Sequence, residues 1–238
     1  DNFGVFFTML TLYTSVCIGV DKNVIIRKKT LQYGLSRQGW LLFALFGLFL
    51  GMTIACKVNL AILGLTLAPA GFLAAADLPC KAKSDFSRIL SLVITGVLTS
   101  IIVMMFSIRI FQPMAFRAPS GNTSFFTWHI NSDWWNCMMV SASESSGIGS
   151  GPPGEQWAHR LPIIFPFVNM IFYGMGFPLG FAVWAAVICA WIKIFRHRCI
   201  ENLKQLLIPV FWATFFFLFM GTRFVKSTRY FLPIYPML

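Results

Sequence analysis

The chain has 238 residues, of which 57% are hydrophobic and only 11% are charged, and its mean hydropathy is +0.72. These values exclude an ordinary soluble domain, whose surface needs many more charged side chains. The formal charge is +11, but the basic residues stand in short connections between apolar runs and do not gather on one soluble face, which argues against nucleic-acid binding. The composition predicts an integral membrane protein.

Apolar runs recur along the whole chain, and each is close to the roughly 20 residues that a helix needs to cross the hydrocarbon core of a bilayer. We predict an all-α, polytopic bundle of transmembrane helices that forms a single transmembrane domain over residues 1–238. Because the first residue is Asp1 and the last follows the start of an apolar segment, we expect this stretch to be internal to a longer chain. The predicted spans are Phe3–Val20, Trp40–Cys56, Leu60–Ala76, Ile89–Ser107, Phe177–Phe195 and Leu206–Gly221, with another starting at Phe231.

The basic residues predict the orientation of these spans, since Lys and Arg concentrate in cytoplasmic loops. Three connections on one side, Asp21–Gln38, Asp77–Arg88 and Lys193–Gln205, hold 12 of the 19 Lys and Arg residues. We therefore predict that this side is cytoplasmic. The opposite side, which includes a long loop over residues 109–166, is predicted to be extracytoplasmic.

The predicted extracytoplasmic loop is much longer than ordinary connections between helices. Its centre, Ser141–Gly154, is rich in Ser, Gly and Pro, whereas its two ends are rich in Trp, Arg, Gln and acidic residues. Ordered ends around a flexible centre are typical of a lid over a substrate site, and a tolerated insertion is the alternative. The candidate substrate-contacting residues at its ends are Gln112, Gln156, Trp157, His159 and Arg160.

Two ionisable residues stand at the outer ends of predicted spans. Lys57 follows the second span, where it is either a snorkelling anchor or a cation that holds a lipid phosphate at the interface. Asp1 precedes the first span and either compensates the helix dipole or acts as a general base toward an acceptor hydroxyl, or as a metal or sugar ligand. The residues alone leave these alternatives open.

Four basic or phenolic residues precede the last apolar segment. They lie on the predicted extracytoplasmic side, where few basic residues are expected. They are Arg223, Lys226, Arg229 and Tyr230. An anionic substrate is the simplest explanation, and contact with lipid headgroups without catalysis is the alternative. The six cysteines show none of the Cys/His spacing of a zinc or iron–sulfur centre. We therefore predict no metal ligands and no cofactor, since no ligand motif supports a divalent metal.

Five segments of the chain resemble one family: the dolichyl-phosphate-mannose protein mannosyltransferase and aminoarabinose transferase superfamily, which are integral-membrane glycosyltransferases with the GT-C fold. Their order and spacing also look like the family, and together they touch most of the chain. The segments are GLFLGMTIACKVNL (Gly47–Leu60), RIFQPMAF (Arg109–Phe116), PPGEQWAHRLP (Pro152–Pro162), NMIFYGMGFPLG (Asn169–Gly180) and RYFLPIYP (Arg229–Pro236).

This resemblance implies an enzyme that takes a mannose-like hexose from a polyprenyl- or dolichyl-phosphate donor. It would transfer the sugar, with inversion, to a protein or to a lipid or cell-envelope acceptor on the extracytoplasmic face. By position, Lys57 would contact the carrier phosphate, Arg109 and the Arg229-Tyr230 pair would lie near the substrate, and Asp1 resembles an acidic residue of an early span. The family's hallmark acidic residue of the first outer loop has no counterpart here, so we expect this stretch alone to be inactive.

Two other classes of membrane protein compete with this interpretation. A secondary transporter would place charges near the middle of its spans and would repeat its own topology, and the sequence shows neither feature clearly. A non-catalytic membrane scaffold would lack the outer carboxylate and cations. We predict a multi-pass protein of the cell or plasma membrane whose partners are the lipid-linked sugar donor, the acceptor and membrane lipids.

Overall fold

The structure is a computed structural model that describes residues 2–27, 33–76, 83–116, 127–148, 155–196 and 204–238. Within these residues the fold is all-α apart from one short two-stranded hairpin. The chain is a membrane protein by the length and composition of its helices. The five described helices that are long and apolar enough to cross a bilayer are Asn2–Val20, Arg37–Cys56, Val58–Ala76, Phe86–Phe111 and Phe177–Arg196.

The connections between the α-helices include 3-10 helices, one π-helix and the hairpin. The described α-helices are α1 (Asn2–Val20), α2 (Arg37–Cys56), α3 (Leu67–Ala76), α4 (Lys83–Phe111), α5 (Ser132–Ser146), α6 (Ile164–Asn169), α7 (Phe177–Arg196) and α8 (Lys204–Gly221). The 3-10 helices are Val58–Thr66, Pro113–Phe116 and Thr228–Met237, and the π-helix is Met170–Gly174. The strands β1 (Ile25–Arg27) and β2 (Tyr33–Leu35) pair antiparallel, with Ile26 opposite Gly34.

The positions of the predicted spans match these helices, and the first five of them correspond to the five helices of spanning length. The sixth, Leu206–Gly221, falls in α8, whose apolar part Gln205–Gly221 is shorter. The span predicted to start at Phe231 is instead part of the 3-10 helix Thr228–Met237. Pro233 and Pro236 lie inside this helix and have no N–H to donate to an α-helical turn.

The segment predicted as one long loop over residues 109–166 contains regular structure. Arg109 is in the last turn of α4, and α5 occupies part of the middle. Asn131 caps α5 by accepting a hydrogen bond at its side-chain oxygen from the Asp133 N–H at 3.0 Å, and Gly147 ends the helix at φ 85°. The predicted flexible centre therefore begins as helix, and its residues 149–154 lie outside the described part of the chain.

The chain divides into two compact units, and the single transmembrane domain predicted over residues 1–238 stays a prediction. The first unit comprises Asp1–Phe111 and Ala190–Trp212, and the second comprises Gln112–Cys189 and Ala213–Leu238. Helices α7 and α8 therefore each contribute residues to both units.

Helices α2 and α4 form the closest helix pair of the first unit. They run parallel, because Gly47 lies against Ser100 and Gly51 lies against Ser107. The absence of a side chain on Gly47 brings the backbones together, and a β-carbon there would collide with the Ser100 carbonyl. The Ser100 hydroxyl donates to the Phe43 carbonyl at 2.7 Å, and such small residues with polar bridges are typical of helix pairs in membranes.

Helix α1 packs on the other side of α2 and runs antiparallel to it. The Thr11 and Thr53 hydroxyls approach to 3.4 Å, and Gly4 lies against Cys56. The Ser15 hydroxyl donates to the Thr66 carbonyl at 3.1 Å, which joins α1 to the Val58–Ala76 segment. Because these hydroxyls bond to carbonyls or to each other, the buried polar groups of this bundle are satisfied without water.

The core of the second unit is aromatic. Trp184 of α7 packs against Phe217 of α8 with ring centroids 4.7 Å apart, and Phe167 and Phe231 complete the cluster at 6.2 and 5.7 Å from Phe217. Edge-to-face and tilted rings at these separations are favourable beyond the area that they bury. The cluster holds α6, α7, α8 and the Thr228–Met237 helix together.

Candidate functional site

The first unit has two ends that differ in which residues they hold. One, which we call the hairpin end, contains β1 and β2. At this end Gly19 contacts Leu73 and Ile208, whose side-chain atoms would lie 3.2 to 3.3 Å from a β-carbon at Gly19. One helix beside each of the three predicted cytoplasmic connections, namely α1, α3 and α8, therefore reaches the hairpin end.

The opposite end, which we call the Lys57 end, carries two of the predicted phosphate-binding cations. Lys57 ends α2 in an extended conformation, and its backbone N–H donates to the Thr53 carbonyl at 2.9 Å. Arg109 is in the last turn of α4 and is buried. The parallel packing of Gly47 on Ser100 continues to the helix ends and brings Lys57 level with the last turn of α4. Lys57 and Arg109 thus lie at the same end of one unit.

The second unit contains a cavity of about 350 Å³ that includes Arg229. We call it the Arg229 cavity. Its lining residues come from the end of the π-helix and from the 3-10 helix that follows α8. They are Tyr173, Gly174, Thr228, Arg229, Leu232 and Tyr235. The volume lies at the lower end of the range found for small-ligand sites, about 300–1,000 Å³.

The 3-10 geometry explains why Arg229 shares this cavity with Tyr235. Side chains three residues apart eclipse one another in a 3-10 helix, so Arg229, Leu232 and Tyr235 project from one face of the Thr228–Met237 helix. Tyr230 is one residue further along, about a third of a turn away, and it does not line the cavity. Of the predicted Arg229-Tyr230 pair, Arg229 lines the cavity together with Tyr235, and the role of Tyr230 stays a prediction.

Gly174 is required where the π-helix meets this face. A β-carbon at Gly174 would overlap the hydroxyl oxygen of Tyr235, so only glycine lets the phenol reach this position. Short π-helices occur often at functional sites. Tyr173 and Tyr235 were not among the residues predicted from the sequence, and the spacing of Tyr235 from Arg229 indicates a shared face only if a 3-10 helix is assumed.

The Arg229 cavity offers chemistry suited to an anion that carries hydroxyl groups. The guanidinium of Arg229 binds phosphate or carboxylate oxygens in a planar fork. The hydroxyls of Thr228, Tyr173 and Tyr235 can each donate or accept a hydrogen bond. No acidic side chain is in this lining, so the cavity has a positive electrostatic character.

A buried ammonium lies close to the Arg229 cavity in sequence. Lys226 is only 4% exposed, and its Nζ donates to the Phe224 carbonyl at 3.0 Å. The Phe224 ring in turn covers Gly147, where the absence of a side chain leaves room for it. Burial lowers the pKa of the Lys226 ammonium below its ordinary value, because the charged form loses solvation.

Near the C-terminal end of the predicted loop, two side chains pack on the ring of Phe165. The Trp157 ring meets Phe165 edge to face at 6.1 Å, and the Arg160 guanidinium lies 4.9 Å from the centre of the same ring. Ile163 follows with φ 62°, a strained value for a β-branched residue, and its N–H donates to the Gly221 carbonyl at 2.9 Å.

The remaining predicted loop residues are not part of the Arg229 cavity. Gln156 and His159 are exposed, and Gln112 follows α4, where its carbonyl accepts from the Ala115 N–H at 3.1 Å. Asp1 lies outside the described residues, so its assignment as a base stays a prediction. Within the described ranges, no cluster of three His, Cys, Asp or Glu residues could hold a metal ion.

Comparisons with known protein families, with curated proteins and with solved structures find no match to this chain. The case for a function therefore depends on the residues and their geometry.

Proposed function

We propose that this protein is an integral-membrane glycosyltransferase that transfers a mannose-like hexose from a polyprenyl-phosphate donor to a protein or to a lipid or cell-envelope acceptor. The observation that carries the proposal is the Arg229 cavity, which is lined by one arginine and three residues with hydroxyl groups. This donor set matches a ligand that joins a phosphate to a sugar, because the sugar presents hydroxyl groups next to the charge.

The reaction needs charge stabilisation at the leaving group. The acceptor hydroxyl oxygen would attack the anomeric carbon, the bond from that carbon to the phosphate oxygen would break, and the electron pair would leave with polyprenyl phosphate. The hydroxyl proton would pass to a carboxylate base, for which Asp1 is the candidate. Cations placed where negative charge develops lower the barrier to such a step, and Arg229 is the candidate that lines the cavity. For Lys57 and Arg109, a place near the donor is what the family resemblance implies.

The distribution of basic residues supports an extracytoplasmic active face. The three connections that are rich in Lys and Arg follow or precede helices that meet at the hairpin end of the first unit. Lys57 and Arg109 occupy the opposite end. Under the positive-inside rule the hairpin end is cytoplasmic, so we propose a multi-pass topology in which the Lys57 end faces outward.

The buried polar groups of the helices favour this function over a transporter. In the helices of the first unit they include threonines and serines whose hydroxyls donate to backbone carbonyls, as Thr53 does to Phe49 at 2.8 Å. A transporter would use ionisable groups near the bilayer midplane as ion or substrate ligands.

The test measures transfer of labelled hexose from polyprenyl-phosphate hexose by the full-length protein in membranes. We expect Lys57→Ala and Arg229→Ala each to lower the initial rate at least tenfold, about the loss of one charge-assisted hydrogen bond of 1.5–3 kcal/mol. Matched controls are Lys193→Ala and Arg88→Ala, which remove exposed cations from the predicted cytoplasmic side.

Two outcomes would contradict the enzyme or its site residues. A full-length protein that transfers none of several donor hexoses would refute the enzymatic proposal. Transfer that survives both substitutions at equal protein level would keep the enzyme but refute a role in donor binding for Lys57 and for Arg229.

A further inference from the structure

Helix α5 lies on the surface of the second unit and has no buried residue. Its first three turns are amphipathic. At about 100° per residue, the large apolar side chains and one alanine fall within an arc of about 140°, which we call the apolar arc. The members of the apolar arc are Trp134, Trp135, Met138, Met139 and Ala142. The two acidic residues of the helix, Asp133 and Glu144, project from the opposite side.

Only part of the apolar arc is covered by the protein. Trp134 and Met138, at one edge of the arc, are half-buried. Trp135 is 51% exposed and Met139 is 53% exposed, and Ala142 is exposed with them. A strip of apolar surface that includes a Trp and a Met therefore faces away from the second unit.

The first end of α5 is fixed close to the end of a membrane-spanning helix. The Asn131 N–H donates to the Ala115 carbonyl at 2.8 Å, and the Asn131 side-chain amide donates to the Met114 carbonyl at 3.2 Å. These two carbonyls belong to the 3-10 helix that begins two residues after α4 ends at Phe111. Because α4 is long and apolar enough to cross a bilayer, α5 begins at the level where α4 leaves the membrane.

The second end of α5 is fixed beside the end of another apolar helix. The Ser145 carbonyl accepts from the Val225 N–H at 3.5 Å, and the Phe224 ring lies over Gly147. Phe224 and Val225 follow α8, which ends at Gly221. An α-helix of 15 residues is about 22 Å long, so an upright α5 would carry one of its ends far from the bilayer. With both ends held just beyond membrane helices, α5 lies along the membrane surface.

We propose that α5 is an interfacial helix, which lies in the headgroup region of the bilayer with Trp135 and Met139 toward the acyl chains. Trp is enriched at this depth, and helices with one apolar face lie there in the plane of the membrane. Residues 127–148 include two acidic residues and no Lys or Arg. The contact is therefore apolar and does not depend on anionic headgroups. This inference needs only a membrane protein and is independent of the proposed transfer reaction.

The test is photo-crosslinking of the full-length protein in nanodiscs of phosphatidylcholine. The photoreactive residue p-benzoylphenylalanine is incorporated in place of Trp135 or Met139, and mass spectrometry identifies what each position captures. Replacement of Leu98, which is 53% exposed on the spanning helix α4, is the positive control, and replacement of Glu144 is the negative control. Thermal unfolding confirms that each variant is folded.

We expect lipid adducts at positions 135 and 139 at a yield close to that of position 98. Adducts at position 144 should be about tenfold rarer, because the two sides of a helix are about 10 Å apart and an interfacial helix sinks only about 5–10 Å into the bilayer. Yields should not change when phosphatidylglycerol is added to the nanodiscs.

A pair of substitutions tests the same contact without a crosslinker. Met139→Asp should speed amide hydrogen exchange in residues 132–146 by about tenfold, roughly the loss of one buried methionine side chain. Val140→Asp is the matched control, since Val140 is 56% exposed but projects from the side opposite to the apolar arc. It should leave the exchange unchanged.

Four results would overturn the inference. Capture of a second copy of the chain at positions 135 and 139 would make the strip an interface between copies, and capture of another part of the same chain would make it a packing face. Lipid adducts no more frequent than at position 144 would place α5 outside the bilayer. Equal exchange in Met139→Asp and Val140→Asp would show that the apolar arc has no special contact.

Discussion

The hydroxyl of Tyr235 lies directly over Gly174, so closely that a β-carbon at position 174 would collide with the phenolic oxygen. This contact joins the end of the π-helix to the 3-10 helix that carries Arg229. The shape of the Arg229 cavity therefore depends on the absence of a side chain at position 174.

Gly174→Ala should displace Tyr235 and distort the Arg229 cavity. We expect hexose transfer to fall about tenfold, with a smaller loss of stability than the roughly 1–3 kcal/mol of core overpacking, because the displaced atom is the far end of the Tyr235 side chain. The measurement pairs initial transfer rates with thermal unfolding in detergent. Gly4→Ala is the matched control, because the nearest atom to its new β-carbon would be Cys56 Cβ at an ordinary 3.7 Å. Unchanged transfer in Gly174→Ala would show that the position of Tyr235 is not needed.

Tyr235→Phe should weaken donor binding without changing the fold, because it removes only the hydroxyl. The loss of one neutral hydrogen bond predicts a KM increase of roughly three- to tenfold, equivalent to about 0.5–1.5 kcal/mol. Tyr13→Phe is the control, since Tyr13 is 68% exposed on α1 in the first unit. A KM equal to that of the wild type would exclude the phenol from donor recognition.

Gly47→Ala should separate α2 from α4. Its β-carbon would collide with the backbone carbonyl of Ser100, which cannot rotate away as a side chain can, and the Ser100 bond to Phe43 would be lost with it. We expect a loss of stability of about 1–3 kcal/mol or more, measured by thermal or denaturant unfolding. Ser100→Ala tests the hydrogen bond by itself and should cost less. If Gly47→Ala unfolded like the wild type, the close parallel pairing of α2 and α4 would be wrong.

Lys226→Met should stabilise the protein at neutral pH, and this gain should shrink as the pH rises. The pKa of Lys226 is lowered in the folded state by burial. Below that lowered pKa both states carry the proton, and the folded state bears the full cost of a buried charge. As the pH rises from the folded pKa toward the unfolded value, about 10.4, the folded state releases its proton first, so the wild type gains stability relative to the variant.

Unfolding temperatures of Lys226→Met and wild type at pH 7 and pH 10 test this prediction. Lys193→Met controls for the general loss of a positive charge, because Lys193 is exposed. A difference between Lys226→Met and wild type that stays constant over this pH range would mean that Lys226 is not held in a charge-disfavouring site.

The positions of the membrane helices could be predicted from local composition. In lipid there is no water to bond to the backbone N–H and C=O groups. A run such as Phe3–Val20 must therefore form these hydrogen bonds within itself, as a helix, and so the apolar run and the helix coincide. Helix α5 was not predicted, because its local composition does not mark it as a helix. Its second half, from Ser141, is rich in serine, and the helix depends on the cap at Asn131 and on the left-handed Gly147, both of which have weak sequence signals.

The candidate site was predictable only in part. Lys57 and Arg109 could be predicted to lie at helix ends, since each follows or ends an apolar run. The alternation of spans also predicts that both lie on the extracytoplasmic side, and the close packing of α2 and α4 side by side is what Gly47 adds. Tyr235 lines the same cavity as Arg229 because both lie on one face of a 3-10 helix that contains two prolines. The apolar pattern alone predicted the start of another span at this place.

The sequence by itself determined that this is a membrane protein of apolar helices, where the first five spans lie, and which connections hold the basic residues. These are properties of short stretches, because hydrophobicity acts on each segment separately. The tertiary structure alone decided which residues meet: Tyr235 over Gly174, Gly47 against Ser100, and Trp184 against Phe217. Such meetings depend on the close approach of backbones at single glycines and on the turn of a helix, which no local pattern specifies.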